Sequence, residues 1–248
     1  MEKTETFGGS TISFVTHSLD VEIHRHASLQ WVYAQDQPFN SRIDSTFYQN
    51  IVGFVIRPQV AHRCTSVVGA FTIINAEPHS RVGQYLLQSL AERPVRVFRE
   101  RRHLLEWMGL LDSKSSVIGV ELLLAQMAQR TVINIMDERV LAALQIVQTS
   151  PDWSMLSTAT LADSVALSSS RLSALFKEQV GSSLSQFLLW NRLKAALRLL
   201  LEDDTKTITE IALETGFYDA SNFNKYMQQM IGVPPRVFRK NSKLIQVW

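Results

Sequence analysis

The segment ITEIALETGFYDASNFNKYMQQMIGVPPRVFR, from Ile208 to Arg239, has little freedom in how it can fold, because almost every position suits one role in two short helices joined by a tight turn. Ile208, Ile211 and Ala212 recur at helical spacing, Gly216 ends a first helix, and Asp219 is of the type that caps the start of the next. The second helix, expected over about Ala220 to Ile231, sorts its side chains onto two faces. Phe223, Tyr226, Met227 and Met230 form an apolar side, and Ser221, Asn224, Lys225 and Gln228 a polar one. That polar chemistry suits a DNA major groove, where Asn and Gln pair with adenine and Lys donates to guanine O6 and N7. Gly232 and Pro234-Pro235 then close the helix and open another short one through Phe238. The competing reading is an ordinary helical hairpin.

A second occurrence of the arrangement argues against that reading. Fifty-one positions upstream of the polar face lie Ser170, Ser173, Ala174 and Lys177, while Phe223, Met227 and Gly232 fall on Leu172, Phe176 and Gly181. Ser168 answers Asp219 as a cap, and Leu161-Ala162 answers Ile211-Ala212 with a turn one residue shorter. The repeat therefore covers a whole helix-turn-helix, and two readers of DNA are implied. Between them, Ser183 to Leu201 has no Pro or Gly and is periodic through Phe187, Trp190, Leu193, Leu197 and Leu200, which predicts one rigid helix. It would be roughly 28 Å long, near the roughly 34 Å between successive major grooves on one side of a duplex.

On these residues, Leu156 to Arg239 resembles the DNA-binding domain of the AraC/XylS family of bacterial transcription regulators. The resemblance is carried by Leu161-Ala162, Ser168, Leu172, Phe176-Lys177 and Gly181 in the first unit. Arg192, Ala196 and Leu199-Leu200 carry it in the linker helix, as does nearly all of Ile208 to Arg239. It implies a regulator that binds double-stranded DNA and recruits or blocks RNA polymerase, with DNA contacts at Ser170, Arg171, Ser173, Ala174, Lys177, Ser221, Asn222, Asn224, Lys225, Gln228 and Arg236. The family often has Arg where this chain has Ala174, and Phe-Lys where it has Met227-Gln228. The first unit, offering mainly Ser170 and Ser173, is expected to clamp the backbone more than it reads bases.

Charge supports this through its distribution. From Asp152 onward 11 Lys and Arg face 9 Asp and Glu, yet residues 168–198 and 219–248 each carry about +4, because the acids gather at Glu202, Asp203, Asp204, Glu210 and Glu214. Basic segments of that size suit phosphate neutralisation and predict salt-dependent binding.

At 248 residues and 46% hydrophobic the chain is long enough for two domains and too apolar for wholesale disorder. The single cysteine, Cys64, allows no internal disulfide and is expected to be a small buried apolar residue. An apolar run long enough to span a membrane is lacking, and the start, with Glu2 and Glu5, has no signal-peptide pattern, so the expectation is a cytoplasmic protein.

The first hundred residues change character. Thr11–Val15, Leu29–Tyr33, Ile51–Ile56 and Ala70–Ile74 are rich in β-branched and aromatic residues and are separated by turn-forming stretches, which suggests a β-barrel or sandwich. Helical periodicity follows at Val82–Leu90, Val117–Met127 and Glu138–Val147, and Thr149-Ser150-Pro151 is the expected domain boundary. The expected architecture is thus α+β, a cupin-like small β-barrel with flanking helices over 1–149 and an all-α double helix-turn-helix over 150–248.

His24-Arg25-His26 and the run Gly53–Arg63 loosely resemble the two signature segments of a cupin. On a strand His24 and His26 share a face, and His62 could approach from a neighbouring strand, a set that a divalent metal accepts. A catalytic cupin usually supplies a carboxylate soon after, where this chain has Gln30. The favoured expectation is therefore that His24, His26, Gln30 and His62 are hydrogen-bonded strand residues or walls of a small-molecule pocket, with no metal, cofactor or catalytic residue. The alternative is a metal-dependent cupin enzyme with a helical appendage. A third possibility is an interaction protein that keeps the fold without the reading. Many members of the resembled family carry a cupin-like N-terminal domain that senses an effector without catalysis, and the analogy makes one of the two later helices a homodimer contact. The arginines from Arg93 to Arg102, interleaved with Glu92, Glu100 and Glu106, read as a solvated face before an anion site.

Overall fold

Strands buried on both faces cannot show the clean polar-apolar alternation of a surface sheet, and three segments of this chain behave in that way. The computed structural model describes residues 10–16, 19–66, 69–109, 120–131, 136–150, 153, 155–240 and 245–247. Its elements in the first half are β1 (Thr11–Thr16), β2 (Leu19–His24), β3 (Leu29–Ala34), β4 (Phe39–Ile43), β5 (Thr46–Ile51), β6 (Gly53–Ile56), β7 (His62–Ser66), β8 (Phe71–Ala76), α1 (Arg81–Leu90), β9 (Val95–Phe98), α2 (Arg101–Met108) and α3 (Val120–Gln129). The second half contains α4 (Glu138–Thr149), α5 (Thr158–Ser164), α6 (Ser169–Val180), α7 (Leu184–Glu202), α8 (Ile208–Glu214), α9 (Ala220–Met230), α10 (Pro235–Lys240) and a last strand, β10 (Ile245–Val247).

Two sheets form, in the orders β10-β1-β8-β3-β6-β9 and β2-β7-β4-β5. The β3, β6 and β8 strands are buried almost throughout because each face has a separate cover. Leu29, Trp31, Val55, Ile74 and Ala76 point one way and pack with Val82, Leu86 and Leu90 of α1, Leu104 and Met108 of α2, and Leu123, Leu124 and Met127 of α3. The alternate residues face the second sheet, where Phe39 of β4 stacks against Phe54 of β6 and Phe71 of β8 with ring centroids 6.0 and 5.5 Å apart. The other side of the second sheet is wet: β5 is exposed along most of its length. Among the described residues, then, the strands make two open sheets rather than one closed barrel. The segments expected as strands and helices are present, apart from residues 117–119, which lie outside the described residues, and β2, β4, nearly all of β5, β7, β9, β10 and α2 are additions. Cys64 is buried and free, and its burial pushes the thiol up to about 12 despite the Ser41 hydroxyl nearby.

The arginine cluster is largely exposed. Arg102 pairs with Glu106 one turn on at 3.0 Å, and Arg101 donates to the Gln35 carbonyl. The solvated face is what the structure contains there.

The chain divides into two compact units, residues 1–133 with the C-terminal strand residues Ile245 and Gln246, and residues 134–243. This places α4 in the second unit, whereas the sequence-based boundary at Thr149-Ser150 placed it in the first. The physical reason is its apolar stripe: Val140, Ala143, Leu144 and Val147 are buried in one cluster with Leu161, Leu172, Phe176, Leu184 and Phe187. Asp137 caps α4, its carboxylate accepting from the Arg139 backbone N–H at 2.9 Å, and the hydrogen bonds from Arg139 hold that carboxyl at about 2. We expect a fragment beginning at Asn134 to be more stable than one beginning at Ser150 by roughly 3–5 kcal/mol, the contribution of the apolar side chains that α4 buries. Chemical denaturation of the two fragments measures this, and equal midpoints would show that α4 is not part of that core.

Candidate nucleic-acid interface and a buried histidine cluster

The two helix-turn-helix units are built by the same local rules. In the second, Thr207 and Glu210 form a reciprocal capping box that opens α8, and in the first Ser157 and Thr160 do the same for α5. Each turn closes with a bond from a backbone N–H to the carbonyl five residues back, Phe217 to Ala212 and Leu167 to Ala162, both at 2.9 Å. The residue before each donor takes the left-handed conformation, Gly216 at φ 80° and Ala166 at φ 54°. Gly216 has a further reason to lack a side chain, since a Cβ there would lie 3.3 Å from the Trp153 carbonyl and the Arg192 guanidinium. Asp219 and Ser168 then cap α9 and α6, accepting from the backbone N–H of Asn222 and Arg171.

Behind the readers, Phe223, Met227 and Met230 of α9 and Leu172, Leu175, Phe176 and Val180 of α6 are buried. Phe217 packs between the rings of Phe223 and Tyr226 at 5.0 and 6.2 Å. The opposite faces are open. Ser170, Arg171, Ala174 and Lys177 are exposed on α6 with Ser173 half-buried beside them. On α9, Ser221, Lys225 and Gln228 are exposed with Asn222 and Asn224 half-buried, and Arg236 is exposed on α10. Each predicted set thus lies along the outward side of its helix. The sequence reading passed over Gln229, exposed next to Gln228, and Tyr218, which is 85% exposed immediately before the Asp219 cap. A solvent-facing aromatic at a helix start was the available signal.

Both units rest on α7, which is 19 residues long and capped by Ser183. It buries Leu184, Phe187, Leu188, Trp190, Leu193, Ala196, Leu197 and Leu200, and it packs against α4 and α6 as well as against α8, α9 and α10. Arg192 extends from it to donate to the Leu156 carbonyl at 2.9 Å.

In the other unit, His24 at the end of β2, His26 just beyond it and His62 at the start of β7 come together. Their ring centroids are 5.7 Å (His24 to His26), 4.1 Å (His24 to His62) and 5.1 Å (His26 to His62). Sequence reasoning found these three but took His26 to be on the strand. A register shift between Val21 and His24 ends regular pairing there, and His26 turns inward past the strand end. Gln30 is buried too, donating to the Asn75 Oδ1 at 3.1 Å, and Ser28 sits 3.0 Å from His26 Nδ1. Ser28 and Asn75 were missed because neither has a spacing signal. Burial keeps His26 at about 3, with His24 adding to the effect, while hydrogen bonding of its ring to the Ser28 carbonyl and to the Gln30 side chain works in the opposite sense. Burial and then its two histidine neighbours hold His62 well below its ordinary value, and burial lowers His24. The cluster is therefore neutral at physiological pH.

Comparison with known proteins fits the helical region. Residues 161–241 match the family model described as a helix-turn-helix domain. The chain is 34% identical over 104 residues to the arabinose operon regulatory protein of Escherichia coli K12, covering 42% of this chain and 35% of that protein. It is also 34% identical over 67 residues to the uncharacterized HTH-type transcriptional regulator YobQ of Bacillus subtilis 168, covering 27% of each. The solved structure of ToxT from Vibrio cholerae shares the fold over 93% of this chain and 97% of that one, with a TM-score of 0.56 at 11% identity. Over its helical region the chain is similar to the AraC-type helix-turn-helix regulators. Its sequence matches cover about a third or less of these curated relatives. The likeness of fold to ToxT extends beyond that stretch and includes the two-sheet half. Among the described residues no helix is long and apolar enough to cross a membrane.

Two measurements test this description. Glycine adopts the left-handed conformation without the steric cost that Ala166 bears, so Ala166→Gly is expected to stabilise the first unit by roughly 0.5–1 kcal/mol after its entropy penalty. A lower thermal midpoint for that variant would mean the turn is not left-handed at Ala166. The histidines set a pH dependence. Unfolded, His26 takes a proton near 6.5, and folded it stays neutral down to about 3. The unfolded state binds more protons in that window, so stability is complete above it and falls as pH drops through it, by about 2 kcal/mol at about pH 5 for one such group. In chelator-treated protein His26→Gln should flatten this slope, and an unchanged slope would contradict a buried neutral His26.

Proposed function

We propose that this chain is a sequence-specific DNA-binding transcription regulator, with residues 150–248 as its reader, α4 as part of the reader's core, and the preceding residues of 1–149 as a sensing and dimerisation domain. The observation that carries the reading is the duplicated helix-turn-helix whose outward faces present polar and basic side chains while the inward faces are closed. Ser170, Arg171, Ser173, Ala174 and Lys177 face one groove, and Ser221, Asn222, Asn224, Lys225 and Gln228 the next, with Arg236 on phosphate. Asn224 and Gln228 suit adenine, and Lys225 suits guanine or phosphate. Tyr218 adds a hydroxyl for the backbone. The serines and Ala174 of α6 offer little to a base edge, so the first unit serves chiefly as a clamp.

A small molecule or partner acting on the N-terminal domain controls the output, RNA polymerase is the downstream partner, a homodimer is the working assembly, and the cytoplasm is the site of action. The relatives' names support the DNA-binding part of this reading. ToxT has been solved bound to (E)-4-(8-methylnaphthalen-1-yl)but-3-enoic acid, a property of that protein with which this chain shares 12% identity. We assign the chain no catalytic residue, because the histidine cluster includes no carboxylate to move a proton.

Selection of bound sequences by the purified protein, followed by binding to the enriched site, tests the proposal. Asn224→Ala or Lys225→Ala should lose on the order of 1–3 kcal/mol at that site and relax preference at one position, whereas Ser170→Ala loses less. Equal losses on selected and random DNA for Asn224→Ala would mean that α9 does not read bases.

A further inference from the structure

The three histidines pose a problem that hydrogen bonding within the protein does not solve. His24 Nδ1 lies 2.8 Å from the Glu22 carbonyl, His26 Nδ1 2.9 Å from the Ser28 carbonyl, and His62 Nδ1 3.0 Å from the Val60 carbonyl. A carbonyl oxygen only accepts, so in all three rings Nδ1 carries the hydrogen and Nε2 carries a lone pair. Each of those Nε2 atoms is buried without a hydrogen-bond partner. One ring nitrogen from each histidine lies within 4.8 Å of the other two. Three buried lone pairs without a donor therefore belong to rings gathered in one place, and buried acceptors left in that state are costly.

We propose that His24, His26 and His62 form a binding site for one divalent transition-metal ion, held through their three Nε2 atoms. The arrangement has the features such a site needs beyond the ligands themselves. Each metal-facing nitrogen is presented by a ring whose other nitrogen is anchored to a backbone carbonyl, which sets both tautomer and orientation. Nitrogen atoms bound to one tetrahedral ion stand about 3.3 Å apart at metal-nitrogen distances near 2.0–2.1 Å. In the structure the ring nitrogens lie within 4.8 Å of one another, so binding requires the rings to draw together by up to about 1.5 Å. His24 is partly exposed while His26 and His62 are buried at 2% and 0%, which gives the ion a way in past His24.

The donor set narrows the class of ion. An all-imidazole site without carboxylate or thiolate favours Zn2+, Co2+, Ni2+ or Cu2+ over Mg2+ or Ca2+. Three protein ligands leave a fourth position for water or for an oxygen of a small effector. Among the described residues no other group of three histidine, cysteine or acidic side chains is gathered in this way. The inference reverses the expectation from sequence, which rested on the missing carboxylate, and it stands independently of whether the chain regulates transcription.

The test uses full-length protein stripped with a chelator and titrated with Co2+ alone, then with Zn2+. One equivalent of Co2+ per chain at micromolar affinity, with the visible absorption of a tetrahedral or five-coordinate ion that Zn2+ abolishes, is the expected result. His24→Gln and His26→Gln should each weaken binding by at least about 10-fold with the far-ultraviolet circular dichroism unchanged. X-ray absorption of the Zn2+-loaded unmodified protein gives a reading that does not depend on how the variants fold, and three imidazole nitrogens are expected. Failure to bind Co2+ or Zn2+ at micromolar concentration, unchanged affinity in a folded His24→Gln/His26→Gln protein, or an oxygen-dominated shell would overturn the proposal.

Discussion

The second unit depends on one constraint: a single helix has to serve as wall for two hydrophobic cores. The first turns of α7 contribute Leu184, Phe187 and Leu188 to the cluster that also holds α4, α5 and α6. Its later turns bury Leu193, Ala196, Leu197 and Leu200, and the helix packs against α8, α9 and α10. Because a helix of 19 residues with neither Pro nor Gly resists bending, each reader is fixed to the same rigid rod. At 1.5 Å per residue the rod is about 28 Å long, comparable with one turn of duplex. Losing α7 would separate the readers and expose both cores.

The two readers show how one architecture tolerates different chemistry. Gly216 and Ala166 fill the same left-handed place in the turn, and Asp219 and Ser168 the same cap, so geometry is preserved where side chains differ. The outward faces are under no such restraint. On α9 they bear Asn224, Lys225 and Gln228, whereas α6 offers Ser170, Ser173 and Ala174 with charges at Arg171 and Lys177. On the proposed reading, base contacts are concentrated in the second helix-turn-helix and phosphate contacts are spread over both.

Most of this half could be read in the sequence because its signals are local: caps, a left-handed turn residue and 3.6-residue periodicity within short windows. The place of α4 could not, since its stripe of Val140, Ala143, Leu144 and Val147 announces a buried face without saying against what. The sheets were legible where strands are buried on both sides, as at β3, β6 and β8, and were missed at β2, β4 and β7, whose one wet face brings in residues such as Glu22, Arg42 and Arg63. Convergence of His24, His26 and His62 was foreseen from the alternation of a strand. Their common tautomer was not, because it depends on carbonyls of Glu22, Ser28 and Val60 whose directions follow from a bulge and a loop.

The central claim is that one chain presents two readers, fixed by α7, to two neighbouring major grooves. Guanine-methylation interference on the selected DNA site, with a single chain bound, tests it most directly. Two clusters of interfering major-groove positions on one face of the duplex, separated by about 10–10.5 base pairs, are predicted. The cluster facing α9 should be the more strongly sequence-dependent. One cluster alone, or two on opposite faces of the duplex, would contradict the account.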